Sequence, residues 1–265
     1  MANFGAVSRL VGRLGAPAQP GPDRHPGRVS GWVSLCVGGW LAGQVVGAVV
    51  FSLAGPLFVV AGMASGVAAG GTLQDEIVAV AAGAPLVALA VWQIPVWATE
   101  LAAVALGTTG RGRSWRDDLG LRISALDPLV GMACGVGAQV AIGAVYALFG
   151  IDADGPARSL ISKGSGWVGL VGLFLLLAVA APVVEELMFR GLLLRGLAGR
   201  MPGWAALVIS SAVFAAVHFQ PVQFVGLFVA GLTFGGLALA YGRLGPAIMA
   251  HVCFNASTVL YLAKR

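Results

Sequence analysis

Seven runs of apolar residues, most of them long enough to cross a lipid bilayer, constrain this chain more than any other feature. They fall at 32–54, 77–106, 128–149, 166–193, 204–220, 223–242 and 245–262. A hydrocarbon core takes about 20 residues of helix, and inside it every backbone N–H and C=O has to be satisfied within the segment. The expected fold class is therefore all-α, a polytopic membrane helical bundle of about seven transmembrane helices. Composition agrees: 58% of the residues are hydrophobic and 10% charged, against roughly 25% charged in soluble domains. The uncharged stretch from Val29 to Gln74 exceeds one span and contains Gly55-Pro56. A break there would admit a re-entrant piece or an eighth helix.

Charge sets the expected orientation. Arg9, Arg13, Arg24 and Arg28 precede the first run, Arg111, Arg113, Arg116 and Arg122 follow the second, Arg195 and Arg200 follow the fourth, and Arg243 follows the sixth. The alternate loops carry Arg158 and Lys163. The positive-inside rule places the N-terminus in the cytoplasm and accounts for the net charge of +5 without nucleic acid. No cleaved signal peptide is expected, since the first apolar run is too long for one. Phe4, Val7, Val11 and Leu14 stand at helical spacing in the Pro-rich leader, which suits an interfacial helix or an unstructured tail equally. Cys36, Cys134 and Cys253 lie singly in apolar runs, so neither a disulfide framework nor a zinc knuckle is expected. Gly39, Gly43 and Gly47, Gly131 and Gly135, and Gly231 and Gly235 repeat a four-residue step. Such steps suit close helix packing, within one chain or between copies.

The fourth run ends in Pro182-Val-Val-Glu-Glu-Leu-Met-Phe-Arg190. A carboxylate in hydrocarbon costs at least about 2.5 kcal/mol, so two in succession need partners or a chemical reason. Glu186 and Arg190, four apart, share a helix face, which leaves Glu185 as the uncommitted carboxylate. Farther on, Phe214 precedes His218 by four residues, and His251 precedes Asn255 by four. Each has a bland reading: Glu186–Arg190 as a structural ion pair, His218 as a packed histidine, Asn255 as interhelical glue. Three helices nevertheless each offer groups suited to metal ligation or acid–base work.

Glu185-Glu186-x-x-x-Arg190, Phe214-x-x-x-His218 and His251-x-x-x-Asn255, in that order on successive membrane segments, resemble the CPBP family of intramembrane proteases. That family is also described as CAAX prenyl protease 2-like or bacteriocin-processing (Abi) proteins. The resemblance divides the chain into a polar leader at 1–30, N-terminal transmembrane helices at 31–165 and a catalytic core at 166–263. It implies an endopeptidase acting on a membrane-associated or CaaX-like peptide. Carried over by position, Glu185 would activate water together with His218, and His251 and Asn255 would stabilise the oxyanion. Glu186, Arg190 and Phe214 would support the site. The first three spans contribute no such signature, although Asp118-Leu-Gly-Leu121 resembles a short interfacial element of relatives.

The resemblance also implies a metal: Glu185, His218 and His251 would offer three ligands to zinc or another divalent ion. The sequence has no HExxH, and a metal-free route through glutamate and histidine uses the same residues. Two other classes stay open, a non-catalytic membrane scaffold or immunity protein of the same fold, and a transporter whose buried charges form an ion path. Partners are then the bilayer and a peptide or membrane-protein substrate. The Ala- and Gly-rich composition and short loops suit a bacterial cell membrane. With ~1.5 Å rise per residue, a continuous fifth helix would put His218 about 27 Å from Arg200, deeper than Glu185 at about 15 Å from Arg195.

Overall fold

The computed structural model describes residues 12, 26–64, 85–108, 114–152, 158, 160–161 and 166–264, which contain helices and no strand. The leader pattern at Phe4 to Leu14 and residues 77–84 of the expected second span lie outside the described residues. Helix α1 spans Pro26–Ala64 and continues through Pro56, so the break expected at Gly55-Pro56 does not occur. Proline removes a single N–H, and a long membrane helix keeps the remaining ladder on both sides of it. Helix α2 (Pro85–Thr108) likewise continues through Pro95. After a single turn, α3 (Trp115–Asp118), come α4 (Asp127–Leu148) and α5, which runs from Gly166 to Ala198. Helices α6 (Gly203–Ala216), α7 (Phe224–Tyr241) and α8 (Gly245–Ala263) complete the bundle.

Six of these helices are long and apolar enough to cross a membrane, and α6 is a shorter apolar seventh. The expected fifth span, 204–220, is therefore cut short. Helix α6 stops at Ala216, and Val217 to Phe219 form a turn in which Phe219 adopts a positive φ of 52°. His218 lies in that turn and not on a helix.

The glycine steps are contact stripes within the chain. A Cβ at Gly39 would stand 2.5 Å from that of Ala103, and one at Gly43 would stand 3.2 Å from the Val96 carbonyl, so α1 and α2 meet backbone to backbone. Gly131 and Gly135 bring α4 onto α8 at Met249 and Ala250, and Gly231 brings α7 onto Ser211 of α6. Trp32 Nε1 donates to Gly107 O at 3.0 Å, fixing the same end of the α1–α2 pair.

Among the described residues Arg122, Arg195 and Arg243 are gathered at one end of the bundle. Arg195 donates to Gly242 O at 3.0 Å, and Arg243 forms an ion pair with buried Asp127, its Nη2 2.6 Å from Oδ1. Leu244 N donates to Gly120 O at 2.8 Å. Gly120 itself has φ +68°, which a side chain would strain. Nearby, the Ser114 hydroxyl and then the Arg122 guanidinium hold the Asp117 carboxyl below the usual carboxylate range.

Candidate active site

Helix α5 is not regular where the site is built. It widens into π-helix at Leu175–Ala180 and again at Glu186–Leu194. In the first segment Ala181 N bonds Leu176 O, five residues back. The next donor in that register would be residue 182, a proline without an N–H. Leu177 O is thereby left open, and Asn255 of α8 fills it, its Nδ2 donating at 2.8 Å. One N–H of the Asn255 amide is so committed, and the second remains.

The second widened segment begins at Glu186, one residue beyond Glu185. Glu186 is fully buried and forms an ion pair with Arg190 Nη1 at 2.9 Å. Arg190 is buried to 1% exposure, its guanidinium 4.4 Å from the Phe214 ring centre and 5.5 Å from that of Phe234. Its Nη2 reaches Gly231 O at 3.4 Å. Two aromatic faces, a carboxylate and a carbonyl thus replace the water that the cation gave up.

His251 connects the two glutamates. Its Nδ1 lies 2.9 Å from Glu186 Oε1, so with Glu186 held as a carboxylate the nitrogen donates. Its Nε2 faces Glu185 Oε2 at 3.7 Å. The ring is stacked on Phe234 at 4.5 Å and met edge-on by Phe214 at 5.7 Å. Glu185 keeps a side chain 23% exposed, whereas Glu186 has none.

His218 joins the cluster through Phe214, whose ring lies 4.7 Å from the imidazole and 5.3 Å from Phe189. Because α6 has ended, the Phe214 carbonyl lacks its helical donor, and His218 Nδ1 supplies one at 2.7 Å. In the neutral ring this leaves Nε2 as the acceptor. It also folds the imidazole back to the level of Phe214, about 16 Å into α6 from Gly203 at ~1.5 Å per residue. Counted from Arg200 as before, that level is about 21 Å, so the mismatch with Glu185 at about 15 Å narrows by about 6 Å.

The expected residues are thus brought together, with Glu185, Glu186, Arg190, His251 and Phe214 in one contact network. His218 enters it by way of Phe214, and Asn255 is anchored to α5. The implied ligand set is a different matter. Among the described residues no three His, Cys, Asp or Glu side chains are grouped to hold a metal ion. Both nitrogens of His251 face carboxylates, and one nitrogen of His218 serves a carbonyl. Each histidine commits Nδ1 to a protein oxygen, as metal-bound histidines also do, and Nε2 is the nitrogen that would meet an ion or a water.

One residue escaped the motif reading. Glu100, on α2, is buried at 6% exposure and interacts electrostatically with Glu185. The signal was present in the sequence, a lone carboxyl within the apolar run at 77–106.

Comparison with known proteins bears directly on this geometry. No curated protein and no solved structure matches the chain. Residues 167–257 match the family described as type II CAAX prenyl endopeptidase, Rce1-like. That segment runs from α5 into α8 and contains Glu185, Glu186, Arg190, Phe214, His218, His251 and Asn255. The chain is thus similar to that endopeptidase family over residues 167–257, and the helices before α5 lie outside the match.

Proposed function

We propose that the chain is an intramembrane endopeptidase that hydrolyses a peptide bond in a membrane-associated substrate. Glu185 with His218 activates the attacking water. The observation that carries this reading is the partition of the two adjacent glutamates: Glu186 is sealed and neutralised by Arg190, while Glu185 stays partly open beside an imidazole nitrogen. A structural ion pair needs one carboxylate, and the second is then available for chemistry.

In the proposed reaction water loses a proton to Glu185 as its oxygen attacks the scissile carbonyl carbon. His218, whose Nδ1 is tied to Phe214 O, presents Nε2 as acceptor to the same water. In this scheme His251, protonated on both nitrogens between Glu186 and Glu185, and the uncommitted N–H of Asn255 donate to the oxyanion. Removing one such donor typically costs about 2.7–4 kcal/mol of transition-state stabilisation. As the tetrahedral intermediate collapses, the C–N bond breaks and the proton held by Glu185 passes to the leaving amine. No step is routed through a metal.

The substrate proposed is the terminal peptide of a membrane-anchored protein, CaaX-like in the family's sense and not necessarily prenylated. Purified protein in proteoliposomes, given a labelled membrane peptide, tests the reading. Wild type is expected to cleave and Glu185→Gln to be inactive with unchanged thermal unfolding. Cleavage by Glu185→Gln at the wild-type rate would remove this residue from the mechanism. Absence of cleavage together with solute uptake would favour the transporter.

A further inference from the structure

His218 lies in the connection 217–223 between α6 and α7. Phe219, the next residue, has a φ of 52°, and among the described residues every other positive φ belongs to a glycine. That left-handed conformation suits glycine and strains a side chain as bulky as phenylalanine. It is also what reverses the chain. Phe219 N donates to Ala216 O at 3.1 Å, Pro221 then opens a short 3-10 turn, and His218 is left to bond back to Phe214 O. Burial does not offset the strain, because Phe219 is 78% exposed.

Two side chains from helices outside the family match hold this connection. Trp40 of α1 packs against the hydrophobic core and meets the Phe219 ring at 6.0 Å between centres. Tyr146 of α4 holds the far end, its hydroxyl donating to Val222 O at 3.2 Å and accepting from Gly226 N at 2.8 Å. Strain of this kind persists only where the surroundings impose it, and it collects at functional sites. A lipid-facing aromatic ring has no need of a left-handed backbone, and glycine would make the same turn without strain. We propose that Phe219 is a positioning residue of the active site: its backbone turns His218 back toward Phe214, and its ring on Trp40 keeps that turn from opening. This rests on the reading of His218 as an acceptor for the attacking water.

The test pairs stability with rate. In proteoliposomes, Phe219→Gly is expected to lower kcat for the labelled membrane peptide by about tenfold, with KM unchanged. Its unfolding temperature stays at or above that of wild type, because the strain is relieved while the turn gains freedom. Phe219→Tyr, which keeps the ring, retains the rate. Trp40→Leu lowers kcat as Phe219→Gly does, and combining the two adds little. A wild-type kcat in Phe219→Gly, a fall of Tm along with the rate, or fully additive losses in the double variant would each overturn the proposal. His218→Ala is assayed in parallel, because full activity there sinks the reading of His218 without involving Phe219. Hydrogen exchange needs no substrate: the amides of 217–220 should exchange faster in Phe219→Gly and in Trp40→Leu, while those of α6 keep their protection. Unchanged exchange at 217–220 would overturn the proposal even for a protein that cleaves nothing.

Discussion

His251 Nδ1 and Glu186 Oε1 meet at 2.9 Å although 65 residues separate them in sequence. This bond ties α8 to α5 and decides which edge of the imidazole is left for Glu185. Asparagine reproduces the Nδ1 side of a histidine and glutamine the Nε2 side. His251→Asn should therefore keep the bond to Glu186 and the thermal stability while cleavage falls by about 100-fold or more, the loss of an oxyanion donor. His251→Gln should lose stability as well. Equal unfolding temperatures for the two variants would contradict the orientation.

The Glu186–Arg190 pair is fully buried, and breaking it leaves a lone charge in a dry interior. Glu186→Gln should destabilise the protein by about 3–5 kcal/mol. Glu186→Leu combined with Arg190→Leu should cost less than the sum of the single changes, because no charge is stranded. Denaturation in detergent of the singles and the double, read as a cycle, measures the coupling. Additive losses would show that the pair does not act as a unit.

Metal dependence follows from the donor geometry. Among the described residues no three candidate ligands are grouped, so purified wild type should hold divalent metal below one ion per chain and stay active after prolonged chelation. Elemental analysis of wild type, His218→Ala and His251→Ala, with cleavage assays alongside, checks this. Stoichiometric zinc that falls in either variant would require the side chains to regroup around an ion.

Orientation gives a further prediction. Arg122, Arg195 and Arg243 are tied to one end of the bundle by contacts among the 120–127, 195 and 242–244 segments. Single cysteines placed at 116 and 200 in a chain freed of its native cysteines should be shielded from an impermeant reagent in whole cells, and one at 152 should react. Labelling at 116 or 200 would invert the topology.

The chain's solvent was legible in the sequence by itself, since runs of this length and apolarity admit helices and little else. The candidate site residues stand out in the sequence in the same way. An intramembrane carboxylate or histidine is costly wherever it stands, and a four-residue step puts Glu186 over Arg190 before any tertiary contact exists. The glycine stripes were readable as close contacts too, though not which helices they join.

Only the tertiary structure decided how those groups are paired. Pro182 withholds the donor that Leu177 O would take, which commits one side of Asn255, but the partner comes from a helix 78 residues away. The end of α6 at Ala216, two residues before His218, is invisible in an apolar run that continues to residue 220, because a histidine ring replaces the next backbone donor. Glu100 was visible as a charge in an apolar run, yet its relation to Glu185 depends on α1, α2 and α5 meeting at Gly39, Ala103 and Met188. Local sequence sets what each segment costs to bury; which buried groups meet is fixed by the packing of helices distant in the chain.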